Sequence, residues 1–509
     1  MPRPPSEPAD VCLVLEGTYP YISGGVSTWV HQIISALPDV RFALFFLGAN
    51  RAATGAKKYE LPPNIVALEE LYLFDPLPRS ERTPGKPLPA VREKVYDQLR
   101  GFFSRDDTEE PTERFLDLTR AIAASAPTLT CANLWQDREA RAIIESVYRQ
   151  HMPDESFLNY FWSSRFLVEP AWKLIRATDR IPKARVYHSL CTGYAGLAAS
   201  IAASNNRAFY LLSEHGIYMK ERIGEIQNAR WMHEVPPRWA ATFQDLSSFK
   251  RLWVEFFRLL GQISYDSAHQ ITSLFENNKR LQVEFGAIPE KVEIIPNGIH
   301  PHEFDSVVAT REAIIKAHPK RQAVGFLGRV VRIKDVKTLL RASRLVVDEC
   351  PEVDIIIAGP TDEDPDYYAA CEELLAQLNL TRNVRFVGLR KRDELLAEID
   401  VMVLTSVSEG LPFVILEAFA ARVPVVSTDV GACRELIEGM PGESPHLGSA
   451  GAVTGVAQPA EIARALVRIL KDPKLRAEMG EAGRRRAEDH YEQEKVIARY
   501  AELYASSIS

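Results

Sequence analysis

The sequence predicts an α/β protein made of two Rossmann-like domains, each a doubly wound parallel sheet, that face each other across a cleft. Short apolar, strand-like runs alternate with amphipathic helical segments in two separate series, with a Pro-Asn-Gly turn signal at 295–299 between them. Repeated strand–helix units form parallel sheets with helices on both faces. The chain has 509 residues, more than one hydrophobic core usually supports. A ligand is therefore expected between the carboxyl ends of the two sheets.

The first series begins with a strand at 11–15, a glycine-rich loop that contains Gly24 and Gly25, and a helix. This order opens a doubly wound domain. The segment at about 75–180 then interrupts the alternation of strands and helices. It contains prolines, charged residues and helical stretches rich in aromatic residues. Because a compact Rossmann unit does not need such a segment, we interpret it as a helical insertion. The other features predicted for this domain are strands at 41–48, 184–188, 208–214, 269–273 and 292–296, and a helical region at 216–266.

The second series begins after a charged segment, ending at Pro319, that we interpret as a linker. It ends in a helical tail at 461–504. The predicted domains are 1–300, 301–485 and a C-terminal helix, 486–509, that packs back on the N-terminal domain. The strands predicted for the second domain are 324–327, 354–358, 384–387, 401–405 and 423–427, each followed by a helix except the last.

The composition excludes several classes of protein. With 46% apolar and 25% charged residues, the chain has neither a fibrous nor a disordered signature. Its net charge of −7 gives no global basic field, so nucleic acid is not an expected partner, and an anionic ligand must be held by local basic residues. The six cysteines lie far apart, as in reduced cytosolic enzymes. We expect neither a signal peptide nor a membrane-spanning helix, and hence a cytoplasmic protein.

Basic residues follow the first strand of the second series. Gly328 lets a ligand approach the backbone, and Arg329 and Lys334 lie just beyond it, at the carboxyl end of the strand. A forked guanidinium and an ammonium group placed there can neutralise a diphosphate leaving group. Either residue alone is typical of a solvated surface, but their joint position after a strand and a glycine favours an anion site.

The segment 409–417 is the most specific pattern in the sequence. It follows the strand at 401–405, and Pro412 favours the first turn of a helix. Glu409 is therefore expected on a loop and Glu417 about one turn into the helix. One carboxylate suits sugar hydroxyls and the other suits ribose hydroxyls. The alternative, that acidic residues simply favour helix N-termini, does not explain the surrounding strand, glycine and proline.

The first amides of that helix, at Phe413 and Val414, are expected to be free to bind a phosphate. In the first domain, Gly24 and Gly25 precede a helix whose N-terminus can likewise bind an anion, although a structural tight turn explains them equally well. His215 follows an apolar strand and precedes a glycine, which makes it a candidate for ligand contact.

His188 is a weaker candidate of the same kind, and a structural role remains the alternative for both histidines. Asp362 and Asp364 form an Asp-x-Asp pattern that is similar to a metal-binding motif of another glycosyltransferase fold. They lie among further acidic residues in a loop after a strand, so a solvated loop is expected there. We predict neither a metal site nor a cofactor.

At these residues the sequence resembles the retaining GT-B glycosyltransferases of family four, and the match runs throughout about 270–500. In the N-terminal half, 15–20, the Gly-Gly-Val-Ser-Thr-Trp loop, the insertion and 214–222 are similar to the PelF-type transferases, the cytoplasmic enzymes of bacterial Pel exopolysaccharide synthesis. The resemblance implies metal-independent transfer of a hexose from a UDP-sugar to a growing polysaccharide. It also implies synthase subunits of the inner membrane as partners.

The resemblance implies that 1–300 binds the acceptor and 301–485 the nucleotide sugar. The segment Leu411-Pro412-Phe413 departs from the commonest family pattern, which leaves glucose and an N-acetylhexosamine both open as the transferred sugar. The implied roles are Arg329 and Lys334 on the diphosphate, Glu417 on the ribose, Glu409, Gly410 and the amides of Phe413 and Val414 on the sugar, His215 on its hydroxyls, Gly24 and Gly25 over the phosphates, and Gly328, Gly388 and Leu389 around the nucleotide.

Three other functions are alternatives to glycosyl transfer. A UDP-N-acetylglucosamine 2-epimerase binds a similar nucleotide sugar between two such domains, but it needs acid and base carboxylates near the sugar C2. A non-catalytic scaffold subunit of a synthase does not require the intact set of charged residues. A dehydrogenase fits poorly, because Gly24 and Gly25 do not form a Gly-x-Gly-x-x-Gly motif.

Overall fold

The structure is a computed structural model that describes residues 8–104, 111–229 and 248–508. These residues form two compact units. The first contains the described residues up to Ser273, together with Asn278–Ile294 and the chain from Tyr500 onward. The second contains Leu274–Asn277 and Ile295–Arg499.

The first unit is built on a seven-stranded, fully parallel sheet with the order β3-β2-β1-β4-β5-β6-β7. All seven residues of β2 are buried, as expected for a parallel strand covered on both faces. The strands are β1 (Ala9–Glu16), β2 (Phe42–Gly48), β3 (Ile65–Tyr72), β4 (Ala184–Ser189), β5 (Phe209–Glu214), β6 (Gln270–Ser273) and β7 (Val292–Ile294).

Helices cover this sheet and fill the predicted insertion, where α2 to α6 lie between β3 and β4. Aromatic residues of the insertion, including Phe115, Trp135 and Trp172, belong to the same hydrophobic cluster as Phe45 of β2. The insertion therefore shares the core of the unit. The helices are α1 (Gly25–Ala36), α2 (Pro89–Ser104), α3 (Pro111–Ala124), α4 (Cys131–Gln136), α5 (Arg138–His151), α6 (Phe157–Arg176), α7 (Tyr194–Asn206), α8 (Tyr218–Asn228), α9 (Ser248–Ser267) and α10 (Glu276–Glu284).

The second unit is built on a six-stranded parallel sheet with the order β10-β9-β8-β11-β12-β13. This is the 3-2-1-4-5-6 order of a Rossmann fold. Hydrophobic clusters pack on its two faces. The strands are β8 (Ala323–Leu327), β9 (Asp354–Ala358), β10 (Val384–Gly388), β11 (Val401–Leu404), β12 (Val425–Thr428) and β13 (Gly451–Thr454).

The helices of the second unit complete its strand–helix repeats and its C-terminal tail. They are α11 (Asp305–Ala317), α12 (Val336–Glu349), α13 (Pro365–Gln377), α14 (Arg392–Glu398), α15 (Phe413–Ala420), α16 (Cys433–Glu438), α17 (Pro459–Lys471), α18 (Pro473–His490) and α19 (Gln493–Ile508). Within the described ranges, none of the helices combines the length and hydropathy that a bilayer crossing requires.

Some expectations about elements were wrong. The segment interpreted as a linker forms a short 3-10 helix, Pro301–Phe304, and α11, because Phe304 and Val307 bury their side chains. Two strands, β3 and β13, were not predicted. Six consecutive residues of β3 are only partly buried, so it lacks the continuous apolar run of a central strand. The helical region at 216–266 contains α8 and α9, and its middle, 230–247, lies outside the described residues.

The chain after 485 also differs from the expected single helix. Its helices break between His490 and Gln493, and the units meet along the chain at Ile294 and Ile295 instead of at 300. From Tyr500 onward α19 belongs to the first unit, where Tyr500 and Tyr504 are almost fully buried.

Candidate functional site

The second sheet has its topological switch point between β8 and β11, which pair directly although they are not consecutive in the chain. Ligands of open α/β sheets bind beside such a point, at the carboxyl ends of the strands. The loops that follow these two strands are joined there. The hydroxyl of Thr405, just after β11, donates to the carbonyl oxygens of Lys334 (2.9 Å) and Asp335 (3.1 Å).

Lys334 and Glu409 form an ion pair across the switch point. Lys334 Nζ lies 2.6 Å from Glu409 Oε1, and the two side chains are only 18% and 11% exposed. The Ser406 hydroxyl donates to the same carboxylate oxygen. A short, largely desolvated and hydrogen-bonded pair has a fixed geometry, unlike a solvated surface pair. The structure thus brings together two of the predicted residues from separate loops.

A glycine after β12 fixes the turn that carries Glu409. Gly431 has a φ of +56° and its neighbour Ala432 donates its N–H to the Gly410 carbonyl oxygen at 2.9 Å. A Cβ atom at Gly431 would lie only 2.3 Å from that oxygen. Only glycine combines this backbone conformation with so close an approach.

Helix α15 begins directly after this turn. Pro412 occupies the N-cap position, so the predicted helix start holds to within one residue. Phe413 and Val414 supply the first amides, which have no partner within an α-helix. The positive end of the helix therefore begins four residues after Glu409, the partner of Lys334, an arrangement that suits an anionic oxygen.

Glu417, in the second turn of α15, is held by a residue that the sequence analysis missed. Arg392 Nη1 lies 2.9 Å from Glu417 Oε1, and the carboxylate side chain is 15% exposed. Arg392 begins α14, only four residues after β10. A basic residue shortly after a strand is the same signal that identified Arg329, so it could have been found.

Gly388 ends β10 with a φ of +64°, which favours glycine. Leu389 follows it and is 84% exposed, the largest exposure among the big hydrophobic side chains of the described residues. Gly359, at the end of β9, donates its N–H to the Gly388 carbonyl oxygen at 2.8 Å. The structure thus presents an apolar side chain to solvent at the carboxyl edge of this sheet.

Arg329 has a different environment from Lys334. Its guanidinium is about half exposed and lies 2.7 Å from Glu363, in the loop after β9. Arg332 pairs with Asp364 in the same loop, and Asp364 also caps α13 by accepting from the Tyr367 N–H. The acidic loop thus takes part in ion pairs instead of being simply solvated. In the described part of the chain, no group of three or more His, Cys, Asp or Glu residues is arranged to hold a metal.

In the first unit, the glycine loop opens onto the N-terminus of α1. Gly24 is the N-cap residue, Gly25 begins the helix, and both are exposed. A side chain at Gly24 would meet nothing within 4 Å. The N-terminal end of α1 is therefore exposed.

His215 lies next to α1, against Trp29. The two ring centroids are 4.8 Å apart, and His215 is 8% exposed and Trp29 1% exposed. Burial lowers the pKa of His215 to about 4, so the ring is neutral at pH 7. Among the described residues, neither His215 Nε2 nor Trp29 Nε1 has a hydrogen-bond partner. Buried polar atoms without partners are uncommon and are consistent with contact to a ligand.

The residue before His215 is anchored by hydrogen bonds. The fully buried Glu214 carboxylate accepts from Tyr265 Oη at 2.6 Å and from Gln282 Nε2 at 3.1 Å, and burial raises its pKa. These contacts fix the backbone at the end of β5. Glu214 was not predicted as a site residue, although an acidic residue that ends an apolar strand is unusual enough to be a signal.

His188 has a structural role. Its Nδ1 lies 2.8 Å from Tyr504 Oη and its Nε2 lies 2.8 Å from Ser213 Oγ, so both ring nitrogens are engaged inside the unit. Burial, with a smaller contribution from His215, lowers its pKa to about 3. The structural alternative therefore holds for His188.

The switch point of the first sheet, between β1 and β4, carries a carboxylate. Glu16 Oε2 accepts from the Ala195 N–H at 3.1 Å, in the first turn of α7, and Tyr218 Oη donates to Glu16 Oε1 at 3.1 Å. The N-terminus of α7, one of the helix ends at this switch point that could bind an anion, is thus already occupied by a negative group. Glu16 was not singled out from the sequence.

Two protein families match separate parts of the chain, and the gap between their matches includes the boundary between the two units. Residues 9–290 match the family described as a domain of unknown function, DUF3492, and residues 310–486 match the family described as glycosyl transferases group 1. The chain is 26% identical over 289 residues to N-acetyl-alpha-D-glucosaminyl L-malate synthase of Bacillus anthracis, covering 56% of the chain and 69% of the synthase. It is 30% identical over 191 residues to D-inositol 3-phosphate glycosyltransferase of Corynebacterium urealyticum, covering 36% of the chain and 43% of that protein.

Solved structures resemble the whole chain in fold. The chain aligns with Anabaena HepE in complex with UDP at a TM-score of 0.60 and 15% identity, over 97% of this chain and 99% of HepE. It aligns with sucrose-phosphate synthase of Thermosynechococcus elongatus at a TM-score of 0.56 and 15% identity, over 97% and 98% of the two chains. The prediction of a GT-B fold with two Rossmann-like domains is confirmed.

The two buried histidines make the stability of the first unit dependent on pH. An unfolded chain protonates histidine near pH 6.5, whereas folded His215 and His188 stay neutral down to about pH 4 and pH 3. The unfolded state therefore binds more protons in this range, and the free energy of unfolding falls as the pH falls from 7 towards 4. At pH 5 we expect the two rings together to contribute a slope of about 2.5 kcal/mol per pH unit.

Urea titrations between pH 5 and pH 7 measure this slope. The His188→Gln/His215→Gln variant should lose most of it, whatever its absolute stability. A control variant, His151→Gln/His318→Gln, changes two exposed histidines and should keep it. Equal slopes in the wild-type chain and the first variant would show that the buried rings are protonated in the folded state.

Proposed function

The chain belongs to the DUF3492 family and carries a group 1 glycosyltransferase domain, and we propose that it transfers a sugar from a UDP-sugar to a growing polysaccharide. HepE, which shares the fold, is known in complex with UDP and with UDP-glucose. The donor nucleotide is accordingly proposed to bind the second unit. The ion pair between Lys334 and Glu409, beside the N-terminus of α15, is the observation that carries the proposal.

In this proposal, Lys334 and the first amides of α15 stabilise the diphosphate as the bond to the sugar breaks. A charged group that is already fixed needs little reorganisation during the reaction, which favours catalysis. Arg329 turns from Glu363 towards the diphosphate when the donor binds. Glu409 keeps Lys334 in place and accepts hydrogen bonds from the transferred sugar, whereas Glu417, oriented by Arg392, binds the ribose.

We propose transfer with retention of configuration at the anomeric carbon. The bond between C1 and the phosphate oxygen breaks, the acceptor oxygen attacks C1 on the same face, and the acceptor proton passes to a phosphate oxygen of UDP. No enzyme nucleophile is required. The neutral His215, close to Trp29, contacts the sugar hydroxyls, while Gly24 and Gly25 lie over the phosphates.

We also propose that the reaction needs no divalent metal. The negative charge that develops on the diphosphate is balanced by Lys334, by Arg329 and by the positive end of α15. Asp362 and Asp364 are not required, since Asp364 already caps α13 and pairs with Arg332.

The polymer is proposed to be a Pel-type exopolysaccharide made on the cytoplasmic side of the inner membrane, with membrane-embedded synthase subunits as partners. The surface of α6 supports a docking role. Leu158, Trp162 and Phe166 are four residues apart, which places them on one helical face, and each is at least half exposed. Exposed large apolar side chains that cluster in this way are typical of protein contacts.

Replacing the diphosphate-binding residues tests the catalytic proposal. Lys334→Ala and Arg329→Ala should each lower kcat by about 10²–10³-fold, because each removes charge stabilisation of the leaving group. The assay follows radiolabelled sugar from UDP-glucose or UDP-N-acetylglucosamine into polymer, which also separates transfer from release of a 2-epimer. Arg382→Ala, at a highly exposed arginine of the same unit, is the control and should have normal turnover. Normal kcat in Lys334→Ala would refute the assignment.

Calorimetry separates the roles of the two glutamates. Glu417→Ala should weaken free UDP and the intact donor about equally, by roughly tenfold, because ribose contacts are common to both ligands. Glu409→Ala should weaken the donor more than UDP. The titrations are performed in EDTA, where wild-type affinity should be unchanged if no metal is needed. Equal losses for both ligands in both variants would contradict the division of roles, and loss of wild-type binding in EDTA would contradict metal independence.

The docking proposal is tested in cells that contain the native synthase. The variant Leu158→Ser/Trp162→Ser/Phe166→Ser should no longer sediment with the membrane fraction, while donor hydrolysis by the purified protein stays normal. Leu345→Ser changes an exposed leucine of the second unit and serves as the control. Persistent membrane association of the triple variant would show that this face of α6 is not the contact.

A further inference from the structure

A cavity of about 380 Å³ lies in the first unit, within the size range of small-molecule sites. One wall is the chain after β2, at Arg51. A second wall is the end of β3 with the segment 73–81 that follows it, and the third is the C-terminal part of α6 with the residues just after it. Because parallel strands end at the same edge of a sheet, this cavity lies at the carboxyl edge where α/β proteins bind ligands.

The walls of the cavity are held by hydrogen bonds that fix their shape. Lys173 Nζ donates to the carbonyl oxygens of Tyr72 and Leu73, both at 3.0 Å, and to that of Asp75. Trp172 Nε1 donates to Glu81 Oε2 at 3.0 Å. The end of α6 is thereby tied to the segment after β3, so the cavity exists before a ligand arrives.

The charges around the cavity are balanced locally. Arg51 pairs with Glu70 (3.7 Å), Arg176 with Glu81 (3.5 Å), and Arg180 with Glu69 (3.3 Å). Lys173, the remaining cation of the lining, is surrounded by carbonyl oxygens. The C-terminal end of α6 adds negative potential to these balanced charges, unlike the N-terminus of α15, so an anionic ligand is disfavoured here. Neutral hydroxyl groups, in contrast, can donate to the carboxylates and accept from the guanidinium groups.

Apolar groups complete the lining, contributed by Tyr72, Leu77 and Trp172 together with two prolines. The ring of a sugar has apolar C–H faces and an equatorial belt of hydroxyls. A cavity with apolar surfaces and balanced charged groups therefore matches a saccharide better than a nucleotide, a phosphate or a purely apolar ligand.

The cavity is connected to the glycine loop of the same sheet edge. Tyr21, three residues before Gly24, donates its hydroxyl to Glu70 Oε1, and Tyr72 Oη donates to the other oxygen of Glu70 at 3.0 Å. Glu70 lines the cavity. The loop proposed to lie over the donor phosphates thus shares a carboxylate with the cavity.

We propose that this cavity is a saccharide-binding site that holds part of the acceptor chain. The inference rests on the proposed function, because a transferase that extends a polymer must hold a chain of neutral sugars near its reacting end. It assigns a function to the insertion, which supplies Trp172, Lys173 and Arg176 to the cavity.

Saturation-transfer NMR with maltotetraose, cellotetraose and chitotetraose as probes tests the proposal on the full chain. At least one tetrasaccharide should bind, and excess UDP should not displace it. Ser80→Trp places a bulky ring at the cavity wall and should weaken that binding at least tenfold. Arg79→Trp adds the same ring at the neighbouring exposed residue, outside the lining, and should leave it unchanged. UDP affinity should be normal in both variants.

A second variant covers the case in which Ser80→Trp does not fold. Arg51→Ala/Arg180→Ala removes two exposed guanidinium groups from the lining and should weaken the same tetrasaccharide about tenfold. Absence of binding by all three probes, or equal binding by the variants and the wild-type chain, would overturn the proposal. Failure of the proposed function would instead appear as absent UDP binding, with tetrasaccharide binding intact.

Discussion

Parallel pairing of the strands is the constraint on which both candidate sites depend. Each strand of a parallel sheet is followed by a crossover, so all the loops that leave the strands gather at one edge. Lys334 and Glu409 are 75 residues apart in the chain and reach 2.6 Å only because β8 and β11 are neighbours. The same constraint places the ends of β2 and β3 side by side and so creates the cavity that Arg51 and Tyr72 line. Both candidate sites lie at these edges because parallel pairing brings the loops together there.

The two units use the same topology with opposite electrostatics. At the switch point of the second sheet, a lysine and a helix N-terminus offer positive potential to a ligand. At the switch point of the first sheet, Glu16 already accepts from the first turn of α7, so a phosphate there would face a carboxylate at close range. Two Rossmann-like units therefore need not mean two nucleotide sites. The helices that follow the fourth strand in each sheet, α7 and α15, thus differ in the charge of the side chains at their N-termini.

The fold and most of the loops could be predicted from the sequence. The features that could not be predicted have physical causes. Apolar runs predicted the buried strands well, because a strand covered on both faces is continuously hydrophobic. β3 lies at the edge of its sheet, is partly exposed and was missed for that reason. The segment 305–317 was mistaken for a linker because charged residues interrupt its apolar ones and Val307 is the one buried residue of the helix. The turn at Gly431 and the pairing of Arg392 with Glu417 depend on contacts between distant segments, which local patterns do not contain.

Side-chain partners were the least predictable feature and also the most informative one. Arg329 and Lys334 are similar in the sequence, five residues apart after one strand, yet one pairs with an exposed acidic loop residue and the other with a largely buried carboxylate. The difference in burial has a consequence for their chemistry. Lys334 has lost much of its hydration, whereas the exposed Arg329 keeps most of its own. The buried pair therefore has a more fixed geometry than the exposed one. A similar difference separates the two buried histidines, since His188 uses both ring nitrogens inside the core and the Nε2 of His215 has no hydrogen-bond partner among the described residues.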